Sequence, residues 1–178
     1  MRCFYCIRDK WSYQFRGNNL RLKKEPSYEQ IIKPLKSALV KNKDVKEVVF
    51  CGYGEPMLRI GILRRVAQYL KQNCYNVRIN TNGHGNLIHK RNVLPELKGL
   101  IDSIYVSLNA ENEKKYFEMN RPRFGIGTFK AVLNFIKLCR KYAPDVAVTT
   151  VKAPGVDLVK CKKIARSFGV KFIMRPYL

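Results

Sequence analysis

The chain has 178 residues, 46% of them apolar, enough to bury a core and too many for a disordered tail. No apolar run reaches the roughly 18 residues of a membrane helix, and the start, Met-Arg-Cys-Phe-Tyr-Cys, lacks an apolar signal segment, so a cytoplasmic protein without a membrane partner is expected. The 35 Lys and Arg against 13 Asp and Glu leave a formal charge of +22, with two readings, a polyanionic partner such as nucleic acid or a lysine-rich solvated surface.

Residues 1 to 25 read as an irregular segment: a cysteine-bearing start, then Trp11, Tyr13 and Phe15 among charges, then Gly17-Asn18-Asn19. Ser27 and Gln30 form a capping-box pair ahead of Ile31, Ile32, Leu35 and Leu39 at helical spacing, which predicts a helix from Tyr28 to Asn42. Pro34 predicts a kink in it. The apolar β-branched run from Val45 to Cys51 predicts a strand that stops abruptly in Gly52-Tyr53-Gly54-Glu55-Pro56. The two glycines let backbone approach a ligand without a Cβ in the way, and Pro56 fixes the exit. Glu55 is then a negative charge beside open backbone, suited to a ligand ammonium. A plain strand-to-helix turn with a solvated Glu is the competing reading.

A second helix carries Ile60, Leu63, Ala67 and Leu70 on one face, and a strand from Val77 to Asn80 ends at Thr81-Asn82-Gly83. A polar loop follows, in which His84 and His89 read as surface histidines. A short helical piece near Pro95 to Gly99 leads to a strand from Ile101 to Leu108, ended by Asn109. Glu111 to Asn120 predicts a polar helix, broken by Arg121-Pro122-Arg123-Phe124-Gly125. An amphipathic helix with Phe129, Val132, Leu133 and Ile136 in register runs to about Tyr142. A strand from Val146 to Val151, a helix using Leu158, Cys161, Ile164 and Ala165, and a strand from Val170 to Met174 complete the chain. Cys74, Cys139 and Cys161 fall in or near apolar helical stripes and read as core residues, as does Cys51 at its strand end, a substitute metal ligand being the alternative for Cys51. A disulfide framework is not expected.

Strands alternating with helices imply right-handed βαβ units and a parallel sheet, doubly wound or curved into a barrel. One regularity favours the barrel: Gly52 to Glu55, Thr81 to Gly83, Ser107 to Asn109 and Lys152 to Gly155 all lie at the C-terminal ends of strands, where parallel barrels build their sites. At the start of the chain, Cys3 and Cys6 form a C-x-x-C pair with Tyr5 before the second cysteine. Two thiolates so spaced can share one metal site, zinc or iron–sulfur, and a redox or structural pair is the alternative.

Taken together, these phrases resemble the radical SAM family. Cys-Phe-Tyr-Cys is similar to the second half of that family's C-x-x-x-C-x-aromatic-C motif, and Gly-Tyr-Gly-Glu-Pro to its glycine-rich motif. Ile79-Asn80-Thr81-Asn82-Gly83 and Val106-Ser107-Leu108-Asn109-Ala110 resemble two further strand ends of the family. The phrases Cys-Phe-Tyr-Cys-Ile-Arg-Asp, Phe-Cys-Gly-Tyr-Gly-Glu-Pro and Arg-Pro-Arg-Phe-Gly are most similar to an uncharacterised branch linked to TatD nucleases.

The resemblance implies one α/β core domain over the whole chain, a partial TIM barrel of the (β/α)6 type lacking its first strand. It also implies a [4Fe–4S] cluster and S-adenosylmethionine (SAM), an electron donor for the cluster, and a 5′-deoxyadenosyl radical that abstracts hydrogen from substrate. Carried over by position, Cys3 and Cys6 are cluster ligands and Tyr5 lies against the adenine. Gly52, Gly54 and Glu55 hold the methionine amino end, and Ser107 and Asn109 contact the ribose with Thr81 and Asn82 nearby. The family's first cysteine falls ahead of residue 1, so an N-terminally incomplete domain is expected, a degenerate one being the alternative. The substrate is not legible, nucleic acid and another protein both being open. A basic nucleic-acid-binding α/β domain with a zinc C-x-x-C, and a remnant without cofactor, are the competing functional readings.

Overall fold

The computed structural model describes residues 1 to 178 except 2, 7, 9, 10, 16 and 178; Ile7 and Asp9 of the cysteine-bearing phrase are therefore outside the described residues. The N-terminal segment is not wholly irregular. A short antiparallel pair, β1 (Gln14–Phe15) and β2 (Asn18–Asn19), forms there, with Gly17 at φ 76° in the turn. A left-handed turn residue next to Asn is a hairpin signal that the surrounding charges obscure.

Helix α1 (Tyr28–Lys41) begins on the expected capping box, the Ser27 hydroxyl accepting from the Gln30 N–H and the Gln30 side chain accepting from the Ser27 N–H. Pro34 lies inside it. Strand β3 (Glu47–Phe50) follows, then a 3₁₀ turn over Pro56–Arg59 and α2 (Ile60–Gln72). Next come β4 (Asn76–Thr81) and α3 (Gly85–His89), a helix in what reads as a polar loop, followed by a 3₁₀ turn at Leu94–Leu97. The chain continues through β5 (Ser103–Ser107), α4 (Glu113–Asn120), α5 (Thr128–Cys139), β6 (Asp145–Val151), α6 (Leu158–Ser167) and β7 (Lys171–Arg175).

The sheet has the order β3-β4-β5-β6-β7, and every pairing is parallel. Parallel neighbours require a crossover, and a helix lies between each pair of strands, as right-handed βα units demand. Side chains alternate across the sheet, so each register row faces one way. One set, Val77, Ile79, Ile104, Val106, Val146 and Val148, packs with helix residues such as Leu63, Val66, Leu70, Val132, Phe135 and Ile136 in a single buried core. The opposite set, which includes Arg78, Asn80, Tyr105, Ser107, Thr149 and Arg175, forms an inner face that is polar. A sheet buried on both faces is normally apolar on both. Here one face departs from that pattern.

Two cysteines sit where the apolar stripes do not reach. Cys74 is exposed in the turn after α2, with φ 61°, and not in the core. Cys51 is exposed at the end of β3, because its register places it on the inner face. Cys139 and Cys161 are buried as expected.

Candidate cofactor site at the C-terminal ends of the strands

All five strands being parallel, the segments after β3, β4, β5 and β6 emerge on one side of the sheet. After β3, Gly52 takes φ 137°, a conformation closed to side-chain-bearing residues, and nothing lies within 4 Å of where a Cβ would stand on Gly52 or Gly54. Glu55 then turns inward. Its Oε1 accepts from the Thr81 hydroxyl at 2.7 Å and the Met57 N–H at 3.1 Å, and its Oε2 from the Asn82 N–H at 2.8 Å. Burial pushes this carboxyl above the usual range, while the three donors pull it back. The carboxylate therefore clasps the end of β4 to the glycine loop. It is not a solvated turn residue.

Past β4 the backbone doubles back tightly. The Gly83 N–H donates to the Thr81 hydroxyl at 3.0 Å and the His84 N–H to the Asn82 side-chain oxygen at 2.9 Å. Gly83 has φ 78°, and a Cβ there would meet Val106 Cγ1 at 3.0 Å and Val132 Cγ1 at 3.2 Å, so only glycine fits. This turn drives His84 inside. It is 3% exposed, not a surface histidine, with Nε2 2.8 Å from the Tyr116 hydroxyl and its ring beside Phe124. Burial lowers its pKa to about 4, so the imidazole is neutral at physiological pH. His89 is half-buried, its Nε2 2.7 Å from the Met57 carbonyl.

After β5, Asn109 adopts φ 56° and is 5% exposed. Its side-chain oxygen accepts from the Val151 N–H at 3.1 Å, tying the end of β5 to that of β6, and Ser107 Oγ lies 3.4 Å from Thr149 Oγ1. The cysteine segment docks on this assembly. Phe4 N–H donates to the Met119 carbonyl at 3.2 Å, the Tyr5 hydroxyl donates to the Asn120 side-chain oxygen, and Cys3 Sγ donates to the same oxygen at 3.5 Å. Asn120 is fully buried and its amide donates to the Tyr116 carbonyl at 3.0 Å. Tyr5 also approaches Asn109, and Tyr116 feels the charge of Glu55, so the two ends of the site belong to one cluster.

Cys3 and Cys6 are both half-buried and share a turn, the Cys6 N–H donating to the Cys3 carbonyl at 3.1 Å. Burial first, and the neighbouring Cys6 charge next, raise the Cys3 thiol; a bound metal would reverse that. Among the described residues no third His, Cys, Asp or Glu joins the pair in a metal-sized group. The structure thus brings Cys3, Tyr5, Glu55, Thr81, Asn82 and Asn109 to one cluster, leaves Gly52 and Gly54 at its open rim, and pairs Ser107 with Thr149. Asn120, Tyr116 and His84 were not legible as site residues. Asn120 and Tyr116 lie on a helix that reads as polar and surface-bound, and only the break directly after Asn120 hints at a special position. A shallow cleft lined by Lys71, Asp102, Arg140 and Pro144 opens at the other end of the sheet. There Asp102 is already held by Lys71 at 2.7 Å and by the Val77 N–H at 2.7 Å, a structural tie.

The sequence profile of the radical SAM superfamily matches residues 1–168, and the chain belongs to that superfamily. An uncharacterized protein of Methanocaldococcus jannaschii, MJ0804, is 29% identical over 128 residues, 71% of this chain and 42% of that protein. The GTPase Obg of Brachyspira hyodysenteriae is 29% identical over 116 residues, 65% of this chain and 17% of that protein. The chain therefore spans less than half the length of these curated relatives. A crystal structure of a radical SAM methyltransferase from Sphaerobacter thermophilus superposes over 98% of this chain and 62% of that one, with a TM-score of 0.51 at 14% identity. At that identity the likeness is one of fold: the five-stranded parallel sheet with its helices matches a radical SAM partial barrel.

Proposed function

We propose that this chain binds a [4Fe–4S] cluster through Cys3 and Cys6 and SAM across the strand ends, as the core of a radical SAM enzyme. The observation that carries this reading is the docking of the C-x-x-C turn, through Cys3 and Tyr5 on Asn120, with Tyr5 also approaching Asn109 at the end of β5. Soft thiolates suit iron–sulfur ligation in kind, and the pair supplies two of its positions. When bound, the cluster supplies the electron that cleaves the SAM sulfonium.

What the chain's own residues contribute is placement. Tyr5, fixed by its hydroxyl, offers an aromatic face to the adenine. The rim at Gly52 and Gly54 leaves backbone open for the amino end, and Glu55, locked by three donors, keeps that rim in register with Thr81 and Asn82. Ser107 and Asn109 stand where the ribose is met. Buried Tyr116, Asn120 and neutral His84 exclude water beneath the cluster turn. Within the superfamily, Arg-Pro-Arg-Phe-Gly and Phe-Cys-Gly-Tyr-Gly-Glu-Pro support the TatD-linked branch.

The test is anaerobic reconstitution with iron, sulfide and a small external thiol able to complete the coordination. After reduction with dithionite we expect an iron–sulfur EPR signal that changes on addition of SAM and is lost in Cys3→Ser and Cys6→Ser. Zinc uptake without iron, or a signal indifferent to both substitutions, would overturn the reading.

A further inference from the structure

The inner face of the sheet carries two arginines that no stabilising role accounts for together. Arg78 on β4 and Arg175 on β7 both point to this face by register, since Arg78 pairs with Ser103 and Arg175 with Val151. Arg78 lies near the start of β4 with its guanidinium over the Tyr105 ring and turned toward Asn80, and Arg175 closes β7 on the same face and feels the charge of Arg78.

The two arginines are not equivalent. Arg78 is partnered: Glu47 holds it at 2.8 Å, and its guanidinium carbon lies 4.7 Å from the centre of the Tyr105 ring. Arg175 has its Nε buried with no hydrogen-bond partner among the described residues. A buried, unpaired donor on a cation is costly unless something accepts from it. Burial first, and the charge of Arg78 next, lower the Arg175 pKa. Glu47 explains Arg78 but offers nothing to Arg175.

We infer that Arg175, with Arg78, forms an anion subsite on the inner face of the sheet that takes a carboxylate or phosphate group of the substrate. The inference rests on the proposed reading that substrate is met inside this barrel. A planar guanidinium fork suits either anion, and the polar side chains of Asn80, Tyr105, Ser107 and Thr149 line the same face.

The subsite is tested on the cofactor-free chain, so its outcome is separate from that of iron binding. The Nε–H resonance of Arg175, assigned by its disappearance in Arg175→Lys, is followed while inorganic phosphate, pyrophosphate and acetate are added at constant ionic strength. We expect a saturable shift with at least one probe, strongest for phosphates if the substrate group is a phosphate and for acetate if it is a carboxylate. Affinity falls about 10- to 100-fold in Arg78→Gln and Arg175→Gln, the loss of one charge-assisted hydrogen bond. Amide spectra confirm that each variant is folded, and if one is not, the wild-type titration decides. A resonance unmoved by every probe, an equal shift with chloride, or unchanged affinity in Arg78→Gln overturns the subsite. Displacement of the probe by SAM overturns the assignment to substrate, since the methionine carboxylate is then the anion; independent binding supports it.

Discussion

His84 shows what a single turn does to a residue's chemistry. The unfolded chain protonates this imidazole near its ordinary value of 6.5, the folded chain only near 4. The folded state therefore binds fewer protons between those values. Its stability is complete above about 6.5 and drains away as pH falls toward 4, by about 3 kcal/mol. Urea unfolding at stepped pH should show this loss, and His84→Gln should flatten it. Glu55 works in the opposite sense, its raised carboxyl favouring the fold below its ordinary value and less so as pH rises through the folded one, so the substitution is needed to isolate the histidine. Asn109 invites a second experiment. Its left-handed backbone disfavours alanine and its side chain holds the Val151 N–H, so Asn109→Ala should cost about 2 kcal/mol in urea unfolding. Asn109→Gly keeps the backbone and should lose only the bond, about 1 kcal/mol; equal losses would show that backbone strain plays no part.

At the scale of elements, α1 carries an internal liability. Pro34 removes one hydrogen bond from a helix that is otherwise well capped. Pro34→Ala should raise stability by about 1 to 3 kcal/mol in thermal unfolding, the helix-interior penalty relieved; a loss would mean the ring packs usefully against a neighbour. The elements were legible where apolar period and caps coincide. Ser27 and Gln30 mark the start of α1, and the runs before Gly52 and Thr81 mark β3 and β4, although Val45 and Cys51 lie outside the hydrogen-bonded strand. Helix α3 escaped because its five residues are too short for a period, and His84 before it and His89 at its end read as solvent-facing. Cys74 looked like a stripe residue from its spacing to Leu70, yet it follows the helix end and occupies the turn. The glycine loop and the C-x-x-C pair were visible as phrases; that Asn120 receives both Cys3 and Tyr5 depends on a contact 117 and 115 residues away, which no local pattern encodes.

The whole molecule carries +22, spread over its surface. Such a charge repels itself in the compact state, and salt relieves it as the screening length shrinks from about 30 Å at 0.01 M to about 8 Å at 0.15 M. The melting temperature should therefore rise across that range; a flat response would show that the surface pairs already balance the field. The strongest ties between distant parts are the parallel rows of the sheet, each joining strands that are far apart in sequence. That makes the question of which parts open together a physical one.

Cys139 on α5 and Cys161 on α6 are sealed from solvent, and burial raises both thiols, that of Cys161 to about 11. Cys51 and Cys74 are open to it. An alkylating reagent, which needs an accessible thiolate, will mark the open pair at once and the sealed pair only during excursions of the native state. The chain thus holds two internal clocks on successive helices, readable by mass spectrometry without any cofactor. If Cys161 is marked sooner than Cys139, the last βα unit detaches by itself; matched rates would mean that the sheet breathes as one body.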